Sequence, residues 1–327
     1  MLLPHKKAHL LITGGAGFMG SAMIRYLLKL EEFEGHITNL DRLTYAGSLK
    51  RVAEVEQFDR YHFVEGDIQD GSSLREIHKH RAIEALLHFA AETHVDRSIV
   101  DPKLFFETNV MGTLSLLEFV REHGIPFHHI STDEVYGALS EEGSFHEESP
   151  YRPNSPYAAS KASSDHLVRA YIKTYGIKAT LSHASNNYGP YQHPEKLIPL
   201  MTERALARKP LPVYGTGQNV REWLYVEDHA RAIWTILTKG KSGEVYNIGG
   251  GEEMKNLELI DLILTLLQEI TKERSYKDLI TFVPDRLGHD FRYALEGKKM
   301  EGVGFRPRVS LKEGLKETIH SILKEKR

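Results

Sequence analysis

Residues 8–20 read Ala8-His9-Leu10-Leu11-Ile12-Thr13-Gly14-Gly15-Ala16-Gly17-Phe18-Met19-Gly20, and the apolar helical stretch Ala22 to Leu30 follows directly. Ala8 to Thr13 is a short apolar run, the first strand of a sheet. A strand, a glycine turn and a helix in that order form a dinucleotide cradle: the glycines let the backbone approach a pyrophosphate, which sits on the helix N-terminus. Gly15, Gly17 and Gly20 satisfy Gly-x-Gly-x-x-Gly; Gly14, Gly17 and Gly20 satisfy Gly-x-x-Gly-x-x-Gly. The motif alone says little. Its value rises because Ile37 to Leu40 reads as a second strand ending in Asp41, where an acid binds the adenosine ribose hydroxyls and repels a ribose phosphate. NAD is therefore favoured over NADP, with the neighbouring Arg42 pulling slightly the other way.

Outward from this unit the alternation continues. Tyr61 to Val64 reads as a third strand, ending at Gly66-Asp67-Ile68, a contact for an adenine edge. Ala85 to Ala91 is a fourth, nearly all apolar, as buried parallel strands are; Ala90 and Ala91 are small enough for a cofactor to lie against the backbone. Leu104 to Val120 reads as one amphipathic helix with Phe105, Val110, Leu114, Leu117 and Val120 inward. Phe127 to Ile130 is a strand, Pro150 to Pro156 a proline-rich turn, Tyr157 to Tyr175 a helix and Ala179 to Ser182 another strand. This pattern predicts an α/β fold with a doubly wound parallel sheet of Rossmann type. After about residue 185 the texture changes. Asn186 to Tyr191 is loop-like, Pro194 to Lys209 mostly helical, and Leu257 to Ile270 a helix that Asn256 caps. Ser310-Leu311-Lys312-Glu313 is a capping box opening the last helix. Residues 1–185 are expected to form an NAD-binding domain. Residues 186–327 are expected to form a smaller mixed α/β substrate domain, with some segments returning to the first.

Composition removes several classes. The net charge of −3 gives no general attraction to nucleic acid or an anionic membrane. The absence of cysteine excludes disulfides and thiolate metal sites and fits a cytoplasmic enzyme. Met1 to Lys7 is too short and polar for a signal peptide, and no apolar run approaches membrane-spanning length. Glu92, His94 and Asp96 invite a metal reading, but without cysteines or a helical His-Glu-x-x-His no metal is expected. The pair His128-His129 reads as strand packing.

The chemistry is carried by Ser131-Thr132-Asp133-Glu134-Val135-Tyr136-Gly137 and Tyr157-Ala158-Ala159-Ser160-Lys161. Tyr157 and Lys161 share one helix face, and a lysine beside a phenol favours the phenolate, a base able to take a proton from a sugar hydroxyl while hydride leaves the same carbon. Thr132, Asp133 and Glu134 stand at the carboxyl end of a strand, where open α/β sheets keep ligands. Two carboxyls in one pocket can be pushed to different pKa values, one acid and one base. A lone Tyr-x-x-x-Lys is usually a surface pair, and a lone Thr-Asp-Glu usually a helix cap; their joint occurrence points to oxidation coupled to elimination. Lys196, Arg221, Arg286 and His289 are spaced so that they could converge on a diphosphate.

With these residues in hand, the chain resembles the extended short-chain dehydrogenase/reductase family, in which the Gly14/Gly17/Gly20 spacing is usual, and within it the dTDP-glucose 4,6-dehydratases of nucleotide-sugar metabolism. The resemblance covers nearly the whole chain. It is carried by Thr13 to Gly20, Ala90 to Ser98, Ser131 to Gly137, Tyr157 with Lys161, Ser185 to Pro199, Asn219 to Leu224 and Gly288 to Ala294. It implies that Tyr157, helped by Lys161 and Thr132, drives oxidation at C4, that Glu134 removes the C5 proton, and that Asp133 protonates the departing C6 hydroxyl. It implies a tightly bound NAD, regenerated each turnover and held by Gly14, Gly17, Phe18, Met19, Gly20, Asp41, Arg42, Thr44, Asp67, Ile68, Phe89, Ala90, Ala91, Thr93, Thr108, Tyr157, Lys161 and Asn187. The implied substrate contacts are Thr93, Thr132, Asn186, Lys196, Leu197, Pro212, Tyr214, Arg221, Asn247, Arg286 and His289. A homodimer is implied, pairing the helices Leu104 to Val120 and Tyr157 to Tyr175, as is a place in the synthesis of deoxysugars such as dTDP-rhamnose.

The chain departs from the family pattern at His183, usually arginine, at Phe291, usually basic, and at Thr93, usually serine. These leave the nucleotide sugar more open than the reaction. A nucleotide-sugar 4-epimerase would keep Tyr157, Lys161 and NAD but would not need Asp133 and Glu134. A 4,6-dehydratase of another nucleotide hexose is a second alternative. A redox-sensing binding protein without turnover is a third, although such proteins typically lose the tyrosine or the lysine.

Overall fold

The computed structural model describes residues 2–325; Met1, where the leading segment read above begins, and Lys326 and Arg327 lie outside the described residues. The first six strands are β1 (Leu10–Thr13), β2 (Ile37–Asp41), β3 (Tyr61–Glu65), β4 (Ala85–His88), β5 (Phe127–Thr132) and β6 (Ala179–Ala184). Then come β7 (Asn186–Tyr188), β8 (Leu211–Tyr214), β9 (Val220–Tyr225), β10 (Val245–Ile248), β11 (Glu253–Lys255) and β12 (Ile280–Val283). Seven of them form one parallel sheet in the order β10-β6-β5-β4-β1-β2-β3. The strand order reverses at β1, so a crevice opens beyond the carboxyl ends of β1 and β4, the place where doubly wound sheets take ligands.

The near-continuous apolar strands follow from cover on both faces. Leu10 and Ile12 pack with Ile24 and Leu27 of the helix Phe18–Lys29 and with Ile233 and Ile236 of the helix Val226–Lys239. Leu11, from the other side of the same strand, packs with Leu116 and Leu117 of the helix Gly112–His123 and with Val168 of the helix Pro156–Tyr175. Each such fully buried aliphatic side chain stabilises the fold by roughly 1.5–3 kcal/mol. A further core, around Ile198, Met201, Leu211, Trp223, Ile263 and Leu315, joins the three-stranded sheet β11-β9-β7 and the pair β12-β8 to three helices. Among the described residues no helix is long and apolar enough to cross a membrane.

Three local expectations need correcting. Leu104 to Val120 is not one regular helix: Pro102–Phe105 runs into a π-helical turn, Phe106–Met111, before Gly112–His123. The wider turn rotates Thr108 and Asn109 inward and leaves Val110 and Leu114 half-buried. It is held by polar bonds that apolar periodicity cannot see, since Asn109 bonds the Glu92 backbone N–H (2.8 Å) and the Ser160 hydroxyl (2.9 Å). Asn186 to Tyr191 is not all loop, because Asn186–Tyr188 pairs in parallel with β9. Asn256 is the first residue of its helix rather than a cap, and its side-chain oxygen bonds nothing. The capping box at the last helix is present, with Ser310 N–H donating to Glu313 (3.2 Å) and Glu313 N–H to the Ser310 hydroxyl (3.4 Å).

Candidate active site

The cleft beyond β1 and β4 is open to solvent and is lined by residues from both halves of the chain. Gly14, Gly17, Phe18, Met19 and Gly20 form its floor. Gly14 has φ +71°, and a Cβ there would lie 2.6 Å from the Ala90 nitrogen, so only glycine lets β1 and the chain after β4 meet. Asp41 closes the end of β2, accepting from the N–H groups of Ala16 (2.9 Å) and Leu43 (2.8 Å). Burial pushes its carboxyl up and those two bonds oppose the rise; each oxygen keeps a lone pair for a ribose hydroxyl. Arg42 is engaged by Asp67 (2.7 Å) and Glu92 (3.8 Å), which spends its charge inside the fold. Thr44, Ile68, Phe89, Ala91, Thr93, Thr108 and Asn187 line the same cleft.

These residues fit a bound dinucleotide on one observation besides the glycine turn. Buried polar atoms facing the cleft lack partners: Thr108 Oγ1, Asp133 Oδ2, Ser185 Oγ and Asn187 Oδ1. Unpaired buried groups are costly, and a ligand rich in hydroxyls and amides satisfies them.

At the inner end, Thr132, Asp133, Glu134, Tyr157 and Lys161 come together, with Asn186, Lys196 and Leu197 opposite. The end of β5 turns sharply into a 3₁₀ turn, Asp133–Tyr136, capped by the Thr132 hydroxyl accepting from the Glu134 N–H (3.3 Å). Thus Thr132 both caps the turn and faces the cleft. The two carboxyls differ electrostatically. Burial, then Glu134 and Glu222, hold Asp133 well above the usual carboxylate range. Burial also pushes Glu134 up, but Arg221, Lys196 and Arg286 pull against it. Asp133 is therefore shifted further above the usual carboxylate range than Glu134.

The phenol does not behave as its spacing from Lys161 implied. Burial, then Glu134, hold Tyr157 well above the ordinary phenol value, opposed by the Thr132 hydroxyl. The Lys161 ammonium instead donates to the Ile130 carbonyl (2.8 Å), and burial lowers it to about 8.

Six expected substrate contacts lie outside this cleft wall. Arg286 pairs with Asp96 (2.6 Å) and sits over the Tyr214 ring (5.1 Å); His289 meets the same ring edge-on (6.3 Å). Pro212 lies beside Tyr214 on β8. Arg221 is pinned by the carbonyls of Val220 and Asp290 (2.8 and 3.0 Å) and stacks on Tyr293. Asn247 is fully buried, bonding Tyr136 and the Phe145 carbonyl (2.9 and 3.0 Å), and the structure does not bring it to the cleft. His183 is likewise fully buried, while Phe291 is exposed.

Sequence reasoning missed several cleft residues. Arg51 ties the glycine turn to a distant loop, donating to the carbonyls of Ala16 (3.1 Å) and Tyr191 (3.0 Å). Tyr45 packs under Arg97 (3.7 Å) and against His193, and Trp223 and Ser185 reach the wall with unpaired polar atoms. Arg51 and Tyr45 carry no local motif; Trp223 and Ser185 lay inside stretches already singled out. The Glu92, His94 and Asp96 side chains point to separate partners, Arg42, Glu195 and Arg286. Among the described residues no cluster of His, Asp or Glu stands ready for a metal.

A Rossmann-type sheet whose switch point faces a tyrosine and lysine on one helix defines the extended short-chain dehydrogenase/reductase class. The chain matches the family model described as GDP-mannose 4,6 dehydratase over residues 11–318. The dTDP-glucose 4,6-dehydratase of Salmonella typhimurium is 48% identical over 331 residues, 95% of this chain and 91% of its own. The crystal structure of the Streptomyces venezuelae dTDP-glucose 4,6-dehydratase with NAD bound superposes with a TM-score of 0.90 at 46% identity, covering 97% of this chain and 98% of its own. That of the Bacillus anthracis enzyme in complex with NAD gives 0.89 at 44% identity, covering 98% and 97%. The chain belongs to the dTDP-glucose 4,6-dehydratase family.

Proposed function

We propose that this protein is a hydro-lyase that uses NAD to convert dTDP-glucose to dTDP-4-keto-6-deoxy-glucose. The observation that carries the reading is the unequal electrostatic setting of Asp133 and Glu134 beside Tyr157. Gly14, Gly17 and Gly20 would hold NAD with Asp41 at its ribose, and the cofactor would supply the hydride acceptor for C4 and the donor for C6, its positive charge opposing the burial that holds the Tyr157 phenol up. Tyr157 takes the C4 hydroxyl proton, with Thr132 beside it and Lys161 behind. Glu134, ionised with the help of three cations, removes the C5 proton made acidic by the new ketone. Asp133, kept protonated, gives its proton to the leaving C6 hydroxyl. Lys196, Leu197, Arg221, Arg286, His289, Tyr214 and Pro212 receive the nucleotide diphosphate and Thr93 and Asn186 the sugar, while Asn247 acts from behind by supporting Tyr136.

The same reading puts the cofactor on residues 1–185 and most substrate contacts on 186–327, with the segment 226–248 returning to the main sheet. It makes the protein a cytoplasmic homodimer serving synthesis of deoxysugars such as dTDP-rhamnose. Support for the dimer comes from apolar side chains left exposed on or beside the helices Pro102–His123 and Pro156–Tyr175: Val100 (86%), Met111 (52%), Tyr175 (51%) and Phe106 (40%).

Incubation with a panel of nucleotide glucoses, followed by mass spectrometry, tests the activity. Loss of one water from dTDP-glucose, with no consumption of added NAD, is expected. An unchanged mass with inverted C4 would make the protein a 4-epimerase, and water loss from a glucose on another nucleotide would make it the 4,6-dehydratase of another nucleotide hexose.

A further inference from the structure

One carboxylate on the catalytic helix has no part in the chemistry above. Tyr157, Lys161 and Asp165 follow one another at four-residue spacing, so they share a face. All three are buried, Asp165 completely. Its carboxylate is contacted by the Ser131 hydroxyl (2.9 Å), by His183 Nε2 (3.0 Å) and by His129 Nε2 (3.2 Å). Among the described residues no lysine or arginine is within ion-pair distance of it. Lys161 in turn has one hydrogen bond, to a neutral carbonyl. A buried ammonium without a counter-charge is disfavoured, and the nearby carboxylate one turn on is Asp165.

We propose that Asp165 is a positioning residue for the oxidation step: it supplies the counter-charge for the Lys161 ammonium and, through Ser131, clasps the end of β5 to the helix that carries Tyr157. The proposal rests on the reading of Tyr157 and Lys161 given above. Ser131 directly precedes Thr132, so the clasp joins the segment holding Thr132, Asp133 and Glu134 to the segment holding Tyr157 and Lys161. Asp165 is itself kept ionised: burial pushes it up, but the adjacent His129 and His183 rings bring it below the usual carboxylate range. Burial pulls Lys161 down and Asp165 is what opposes it. Other groups facing this pair are Tyr157 on the helix, His88, His129 and His183 from the sheet, Tyr151 from the segment before the helix, and Arg169 one turn further on. His129 is lowered to about 4 by burial and Lys161, and His88 lies well below its usual range for burial first, so neither titrates near neutrality. Asp165 also raises Tyr157, so removing its charge moves lysine and phenol in the same direction.

The test is a pH profile of single-turnover reduction of bound NAD by dTDP-glucose. In Asp165→Asn the whole profile is expected to move to lower pH by about 1 unit, with NAD content unchanged. Ser131→Ala, which keeps the charge, is expected to lower the rate at every pH without moving the profile. A readout independent of turnover is the pH at which Lys161 becomes reactive to a small acylating reagent, followed by peptide mass spectrometry on NAD-free protein. That pH should fall in Asp165→Asn and hold in Ser131→Ala. If Asp165→Asn does not fold, Asp165→Glu replaces it, with a slower rate and an unmoved profile expected. An Asn profile that is lowered but not displaced, a displaced Glu profile, or Ser131→Ala at full rate each overturns the proposal. No reduction of NAD by dTDP-glucose in the wild type would instead overturn the function on which it rests.

Discussion

The two ends of the cleft are built from different kinds of sequence. At the cofactor end, the floor is one contiguous run, Gly14 to Gly20, and the acid at the tip of β2 is fixed by backbone N–H groups 2.9 and 2.8 Å away. At the far end and just beyond its wall, the cations come from segments distant in the chain, and each is held differently. Lys196 donates to the Thr93 carbonyl (3.1 Å), Arg221 to carbonyls around Asp290, and Arg286 to the Asp96 carboxylate. The first end is shaped by backbone geometry, which a short motif encodes. The second gathers cations from separate segments, which no local pattern encodes. Between them stand Asp133 and Glu134, adjacent in sequence yet set apart in proton affinity because Arg221, Lys196 and Arg286 oppose burial at Glu134 and only Arg221 among them does so at Asp133.

The largest effect should come from the point where the two ends meet. Tyr157→Phe should lower kcat by about 10²–10⁴-fold, with NAD content near normal; a wild-type rate would remove Tyr157 from the reaction. Next, the ends should separate by mutation. Arg286→Ala should raise KM for dTDP-glucose by about 10–100-fold, the scale of a lost charged hydrogen bond, and leave NAD content unchanged. Asp41→Ala should weaken NAD more than NADP and leave the substrate KM comparatively untouched. Steady-state kinetics with equilibrium dialysis of the two cofactors distinguishes these outcomes, and equal loss of both cofactors in Asp41→Ala would take Asp41 off the ribose.

This division explains what was legible. The parallel sheet, and the places of the glycine turn, Asp41, Thr132 to Glu134 and Tyr157 with Lys161 along the cleft, were legible because hydrophobic period and several local motifs occurring together carry them. The π-helical turn at Phe106–Met111 could not, since it is fixed by Asn109 bonding the Glu92 backbone and Ser160, residues distant in sequence. Nor could Arg51, which acts 140 residues away on Tyr191. Asn247 shows the opposite case: a position that the resemblance implied as a substrate contact is turned into the core by its bonds to Tyr136 and Phe145.

The smallest effect concerns the sheet beneath both ends. Burial keeps His128 and His229 lowered to about 3 and His129 to about 4. Unfolded histidine takes up protons near pH 6.5 while these remain neutral, so the unfolded state binds more protons and stability falls as pH drops from 6.5 towards 4. Each contributes at most about 1.4 kcal/mol per pH unit. His128→Gln, able to keep bonds to Thr180 and Ser182, should flatten that slope by about one such increment in urea unfolding of NAD-free protein. An unchanged slope would mean that His128 is already charged in the fold.

The central claim is the division of labour between the tyrosine and the two carboxylates, and an isotope tests it most directly. Substrate deuterated at C4 should give product deuterated at C6 from the wild type. With Glu134→Gln, C4 oxidation should persist, bound NADH should accumulate as near-ultraviolet absorbance, and dehydrated product should form about 10²–10⁴-fold more slowly. Deuterium lost to solvent, or a Glu134→Gln variant that dehydrates as fast as the wild type, would contradict the account.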